Sequence, residues 1–294
     1  MNAEHVSTDW QVQRRCTNCD VARQVAPGLI GERNGRSVML RQPENEAEVQ
    51  VMNAAAQACH VGAIQRIGAR LDPAADPYPM AMDDKLYFCG HNSPTAGGAN
   101  AFLLRRPDGL MMIDTPLFSN ALAARYEKLG PITDVLLTHR DHAAHAEQYA
   151  ERLGARLWIH EGDLDSAPSA DQVMRGTEPI EIADGVVAYP LYGHTEGSVL
   201  FVADDTYCFT GDSFYWCRTT EDIEVFEHVT WLSIRDLAAS LQATVPRLKF
   251  EWLLAGHGDR KRLPAEEMAR RMQDLADRTS RLVPRVVEFA ATRW

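Results

Sequence analysis

From Lys85 onward, short apolar runs alternate with amphipathic stretches, and several of the runs end on a small or ligand-type residue. Lys85-Leu86-Tyr87-Phe88-Cys89 reads as a strand, and Asn100–Leu104 and Leu110–Asp114 read as two more, joined by a Pro107-Asp108-Gly109 turn. A helix is expected over Asn120–Leu129. The apolar run Val135–Leu137 then predicts a strand, the good helix formers of Glu147–Leu153 a helix, and Arg156–Ile159 a strand again. Strands are also expected at Ser198–Val202, before Asp212 and before His257. A helix at Pro264–Leu282 places Met268, Met272, Leu275 and Ala276 on one face, suiting an outer layer. Alternating strands and helices with paired hairpins predict a layered α/β architecture.

The first part of the chain has a different pattern. Leu29-Ile30 and Ser37–Leu40 flank an Asn34-Gly35 turn, the signature of a tight hairpin. Glu44–Ala58 is helix-like, with Val49, Met52 and Ala56 on one face. Leu71–Pro79 carries three prolines within residues 73–79 and is the natural boundary. The expected division is a small domain over 1–70, a proline-rich linker over 71–79, and a large domain over 80–294.

Composition narrows the classes. Of 294 residues, 45% are hydrophobic and 24% charged, values of an ordinary globular protein with room for a real core. The net charge of −11 argues against a nucleic-acid backbone as partner and so disfavours a nuclease. No apolar run approaches the roughly 20 residues of a membrane span. Met1–His5 lacks the features of a signal peptide, so the expected location is cytoplasmic, with no membrane partner. In that compartment six cysteines are for metal binding or burial rather than disulfides.

The chemistry concentrates in Thr138-His139-Arg140-Asp141-His142-Ala143-Ala144-His145. Four metal-ligand side chains occupy positions 139–145, in a strand-to-helix loop that a scaffold can aim at one point. Imidazole mixed with carboxylate suits zinc, iron or manganese rather than calcium. Three later stretches repeat the theme: His194 in a glycine-flanked turn, Asp212 after a strand and small residue, and His257 after another.

Asp114, the loop from His139 to His145, the turn Gly193-His194-Thr195-Glu196-Gly197-Ser198, Gly211-Asp212 and Gly256-His257 together resemble the metallo-β-lactamase superfamily, over roughly residues 80 to 294. The resemblance implies a four-layered αβ/βα sandwich carrying two divalent metals on one edge, zinc first and iron or manganese as alternatives. It implies that Asp212 bridges them, that loop residues with His194 hold one, and that Asp141 and His142 with His257 hold the other. Asp141 would orient the nucleophilic water, and Asp114 would steady a ligand histidine. Where the family has His-x-His-x-Asp-His, this chain has His139-Arg140-Asp141-His142: matching the final Asp-His puts Leu137 on the first histidine, and matching His139 to the first histidine puts Asp141 on the second, so one imidazole is missing under either alignment. His145 is the candidate replacement.

Residues 8 to 68 resemble a small single-cluster ferredoxin: Cys16-x-x-Cys19, the hairpin, and Cys59-His60-Val61-Gly62-Ala63-Ile64 match its pattern. The third cysteine position is Ala22, and His60 stands where proline is usual. Four thiolates normally hold an iron–sulfur cluster. Cys16, Cys19 and Cys59 leave three outcomes: an altered cluster, a zinc completed by a histidine, or a fold that has lost its cofactor.

The function expected is metal-dependent hydrolysis of an ester, thioester, lactone or similar small molecule. The alternatives are an iron-dependent redox protein fed through the ferredoxin-like segment, and a binding module that has lost catalysis. Tyr215, Trp216, His228 and Trp231, in an aromatic and acidic insert after Asp212, are candidates for the substrate pocket. A homodimer through the C-terminal helix is a further expectation.

Overall fold

A computed structural model describes residues 10–71 and 75–284. Met1–His5 and part of the proline-rich stretch 71–79 lie outside the described residues.

In the large part of the chain two sheets stack face to face. The first has seven described strands in the order β11 (Gln172–Met174), β10 (Arg156–His160), β9 (Ile132–Leu136), β8 (Gly109–Ile113), β7 (Phe102–Arg106), β6 (Leu86–Phe88) and β5 (Met80–Ala81). The second runs β12 (Ile180–Ala183), β13 (Val186–Pro190), β14 (Val199–Ala203), β15 (Tyr207–Gly211), β18 (Trp252–Ala255) and β19 (Lys261–Arg262). Phe88, Phe102, Met111 and Leu136 of the first sheet meet Val199, Phe201, Phe209 and Leu254 of the second in the central core. The outer face of the first sheet is covered by α3 (Asn120–Tyr126) and α4 (Ala146–Leu153), through Ala123, Tyr126, Ala146 and Tyr149. That of the second is covered by α5 (Ile234–Thr244) and α6 (Ala265–Thr279), through Leu237, Leu241, Met268 and Met272. The result is four layers, αβ/βα.

The amphipathic patterns account for these layers. The four apolar residues expected on one face of the C-terminal helix are all buried at the second sheet. Ser119 and Ser233 accept hydrogen bonds from Leu122 N and Asp236 N and so start α3 and α5, each cap contributing about 1 kcal/mol. The hairpin β12–β13, the ribbon β16 (Tyr215–Cys217) with β17 (Asp222–Glu224), and α5 add to the elements that sequence patterning predicted.

Topology places the candidate ligands. Strands β8 and β9 are parallel, with Ile113 opposite Leu136, so Asp114 and His139 follow the same strand ends. Strands β15 and β18 are also parallel, which brings Asp212 beside His257. Because β14 runs antiparallel to β15, its start, just after His194, lies at the same edge. Val199 N donates to Thr138 O at 2.8 Å and ties the two sheets together there.

The N-terminal segment has its own small core: Trp10, Ala22, Ala26, Leu29, Ile30, Met52 and Ile64. It comprises β1 (Trp10–Val12) paired with β4 (Ile64–Arg66), the hairpin β2 (Ile30–Arg33) and β3 (Arg36–Met39), α1 (Val21–Val25) and α2 (Glu46–Ala58). Asn34 and Gly35 both take positive φ (52° and 71°), as the two-residue turn requires. This core docks on the sandwich. Val21, Ala54 and Ala58 join the central core, Tyr78 Oη donates to Ala54 O at 2.9 Å, and Gln24 bonds Gly258 O.

Candidate metal centre

The loop after β9 turns immediately into a short 3-10 segment, Arg140–His142. That tight turn separates its side chains. His139 and His142 fold inward and are buried, while Asp141 stays at the rim with its side chain 36% exposed. Two groups of three ligand atoms lie within 4.8 Å of one another: His139, His142 and Asp212, and His139, Asp141 and His194. His142 Nε2 is 3.5 Å and His139 Nε2 3.8 Å from Asp212 Oδ2. His194 Nε2 is 3.6 Å from Asp141 Oδ2 and 4.0 Å from Asp212 Oδ2.

Buried supports fix these rings. Asp114, in the left-handed region (φ 54°), accepts from His142 Nδ1 at 2.8 Å, from Thr138 N at 2.9 Å and from the Thr138 hydroxyl. With its Nδ1 proton held there, His142 aims Nε2 at Asp212, the arrangement by which a buried carboxylate orients a ligand histidine. Gly256 has to be glycine for the edge to close, since a Cβ there would collide with His142 and Asp212. Asp163, fully buried, accepts from Thr195 Oγ1 at 2.6 Å and from Arg140 N at 2.9 Å. It therefore braces the His194 turn against the His139 loop. Sequence reasoning passed over Asp163; its signal is nothing more than an aspartate in a short turn after β10.

The expected grouping changes in three respects. Asp141 faces His194 rather than His257, because the 3-10 turn over Arg140–His142 carries it to the rim; Trp231 Nε1 donates to its Oδ2 at 2.8 Å. His257 sits beside Asp212, Nδ1 to Oδ1 2.9 Å, with Nε2 3.3 Å from Gly97 O, and belongs to neither three-ligand group. His145 does not replace the missing imidazole. It precedes α4 on the outer side, its Nε2 3.0 Å from Ser93 Oγ and its Nδ1 3.0 Å from Gln148 Oε1.

Buried imidazole nitrogens test whether a metal fits. His139 Nε2, His142 Nε2 and His194 Nε2 are all buried without a hydrogen-bond partner. Leaving such groups unsatisfied is costly, and lone pairs converging on a carboxylate are what a divalent ion takes up. Burial, then the His142 and His194 rings, push His139 well below the ordinary histidine value, so it stands neutral and ready to ligate. Burial opposes charge on Asp212, but His257 and His142 outweigh it and hold the carboxyl ionised. For Asp141 burial again opposes, while His194, His139 and Trp231 together keep it well below the usual carboxylate range.

A cleft of about 630 Å³ opens over this cluster, lined by Asp141, His142, Asp212 and His257 and walled by Pro94–Gly97, Ala143 and Trp231. Of the expected pocket residues, Trp231 reaches it. Trp216 does not: it is buried in the outer core, with Lys261 and Arg271 over its ring. Tyr215, stacked on Phe226 at 3.9 Å, and His228 line a neighbouring cleft of about 620 Å³ instead.

The N-terminal cysteines behave differently. Cys16 and Cys19 line that neighbouring cleft, and Cys59 Sγ accepts from Ala63 N at 3.2 Å. Cys19 Sγ lies 3.7 Å from His60 Nδ1, but no cysteine belongs to a three-ligand group among the described residues. Ala22, at the third cysteine position, points into the small core from α1. The residues present therefore do not fit a four-thiolate cluster.

Comparison with known proteins bears on the family and the fold. Residues 94–257, more than half of the chain, match the family model described as the metallo-beta-lactamase superfamily. The chain belongs to that superfamily. Residues 12–66 match the 4Fe-4S single cluster domain of ferredoxin I. Among solved structures, the metallo-β-lactamase of Hirschia baltica is similar with a TM-score of 0.52 at 14% identity, covering 67% of this chain and 96% of that one. FIM-1 of Pseudomonas aeruginosa, in a mono-zinc form, gives 0.51 at 14%, covering 69% and 95%. Both likenesses speak for the superfamily fold. A hydroxyacylglutathione hydrolase of Acidiphilium cryptum is 30% identical over 142 residues, 47% of this chain. The chain spans about half the length of that relative (51%).

Proposed function

We propose that this superfamily member is a metal-dependent hydrolase of thioesters or related esters, working at the His139–Asp212 edge of the sandwich. The observation that carries the proposal is the convergence of three buried, unpartnered imidazole nitrogens on Asp212 and Asp141. The thioester preference is supported by likeness to the Acidiphilium cryptum hydrolase.

His139, His142 and Asp212 would hold one divalent ion, and His139 or His194 with Asp141 a second, zinc being the first choice for such donors. The ion supplies Lewis acidity and a water acidified to near neutrality. The rest is the work of this chain. Asp114 accepts from His142 Nδ1, which leaves Nε2 as the nitrogen that would meet the ion. Asp141, ionised and pinned by Trp231, orients a water at the rim by accepting a hydrogen bond from it. Trp231, Ala96 and Ala143 exclude bulk solvent from the substrate's acyl group. Asp163 keeps the two ligand loops in register.

The redox alternative needs an electron carrier beside the site, and Ala22 removes a ligand that a carrier would need. The test is metal analysis of purified protein together with hydrolysis of S-lactoylglutathione and simple thioesters. Stoichiometric zinc with thioester hydrolysis abolished by chelator is expected. Iron with acid-labile sulfide and no hydrolysis would overturn the proposal.

A further inference from the structure

The cleft over the metal-type cluster is not built by the sandwich alone. Thr17, His60 and Val61 of the N-terminal segment line it together with His142, Asp212 and His257. The contact is close: a Cβ on Gly98 would collide with the His60 ring, so that loop needs glycine to let His60 in. His60 makes two side-chain contacts: Nε2 is 3.4 Å from Thr17 Oγ1, long for a hydrogen bond between nitrogen and oxygen, and Nδ1 is 3.7 Å from Cys19 Sγ, a weak sulfur hydrogen bond. It forms no part of the apolar core of its own domain. The neighbouring cleft also contains Thr17 and His257, so the two hollows meet at these residues. That second hollow is rich in charged groups, including Asp20, Arg23, Glu32 and Arg36.

We propose that the ferredoxin-like domain serves as the specificity wall of the catalytic cleft: Thr17 and His60 contact the non-reacting tail of the substrate, and the tail is a polar, charged one that runs into the second hollow. This rests on the metal-centre assignment and adds the part of the substrate that the sandwich does not reach. The physical grounds are burial and reach. Two polar side chains, joined to each other by one long hydrogen bond, face a cleft whose other wall is the reactive edge, and a tail donor or acceptor can replace that bond at little cost. A domain that cannot hold a four-thiolate cluster but closes one side of the site has a role in recognition. Thr17 and His60 are then positioning residues for the tail, and the acyl group is handled by the sandwich.

The test uses the full-length, zinc-loaded protein and two thiols, glutathione and 2-mercaptoethanol, whose binding is followed by calorimetry, alongside hydrolysis of their acetyl thioesters. His60→Ala and Thr17→Ala should weaken glutathione binding and raise KM for its thioester about 10-fold each, leaving the mercaptoethanol pair within about 2-fold, with kcat and zinc content unchanged. His60→Gln should restore part of the glutathione effect. Equal changes for both thiols, no change for either, or no binding of glutathione by the wild type would overturn the proposal. Glutathione binding that depends on His60 without any thioester turnover would refute the hydrolase assignment and leave the wall standing.

Discussion

The loop after β9 and the segment after β1 look alike as sequence. Each puts several metal-ligand side chains within a few residues of a strand, and each matches a metal-binding family model. In the fold they part. Around Asp212 the ligand nitrogens are buried, unpartnered and within 4 Å of a carboxylate, with Asp114 and Asp163 bracing the loops. Around Cys16, Cys19 and Cys59 no three ligand atoms converge among the described residues, and the third cysteine position is filled by an alanine in the core. Spacing proposes a metal site. A site also needs distant backbone to bring in the remaining ligands and buried carboxylates to aim them. The first region obtains both from strand ends of two sheets, while the second depends on its own local turns.

The largest effect should come from Asp212→Asn. It removes the carboxylate on which His139, His142, His194 and His257 converge, so metal affinity should fall by more than the roughly 100-fold seen for outer partners. Competition with a chromophoric chelator measures it; full zinc retention would put the site elsewhere. Asp114→Asn should cost about 10- to 100-fold in metal affinity, because His142 loses the acceptor that fixes its tautomer. An unchanged affinity would mean that His142 is not a ligand. Trp231→Phe removes the indole donor to Asp141 while keeping an aromatic wall, and kcat/KM should drop at least about 10-fold with zinc content intact, the scale of one hydrogen bond to a carboxylate.

The other half of the comparison predicts small or null results. Ala22→Cys supplies the missing cysteine of the motif, yet anaerobic reconstitution with iron and sulfide should give no visible absorption, because residue 22 faces Trp10, Leu29 and Met52. A brown protein would show that the segment can still refold around a cluster. Burial, aided by the neighbouring Cys59 and Cys16, pushes the Cys19 thiol up to about 11. It should therefore react with iodoacetamide at pH 8 far more slowly than an ordinary thiol, and at the ordinary rate once denatured. Peptide mapping after timed alkylation distinguishes the two.

Much of the fold was legible in the chain. Strand and helix patterning marked the strands that carry Asp114, His139, Asp212 and His257, and the C-terminal helix face, because burial on one side imposes a period that survives in sequence. The Asn34-Gly35 turn announced its hairpin for an equally local reason: both residues take positive φ. The residue types at the centre were also in view, since imidazoles and carboxylates at strand ends have few other uses.

Only the tertiary structure decided the partners. Whether Asp141 looks to His257 or to His194 depends on the 3-10 turn over Arg140–His142, and no local signal encodes its direction. His145 follows His142 by three positions, but α4 starts at Ala146, so no helix joins them and His145 bonds Ser93 instead. Trp216 and Trp231 are alike as sequence; one is buried beneath Lys261 and Arg271, the other holds Asp141. Asp163 and His60 reach the site across long separations, through docking of a turn and of a whole domain. Local pattern reports how each segment meets water, and it determined the elements and the ligand types. Convergence is set by strand order, register and domain contact, which are properties of pairs of segments and become visible only when the chain is folded.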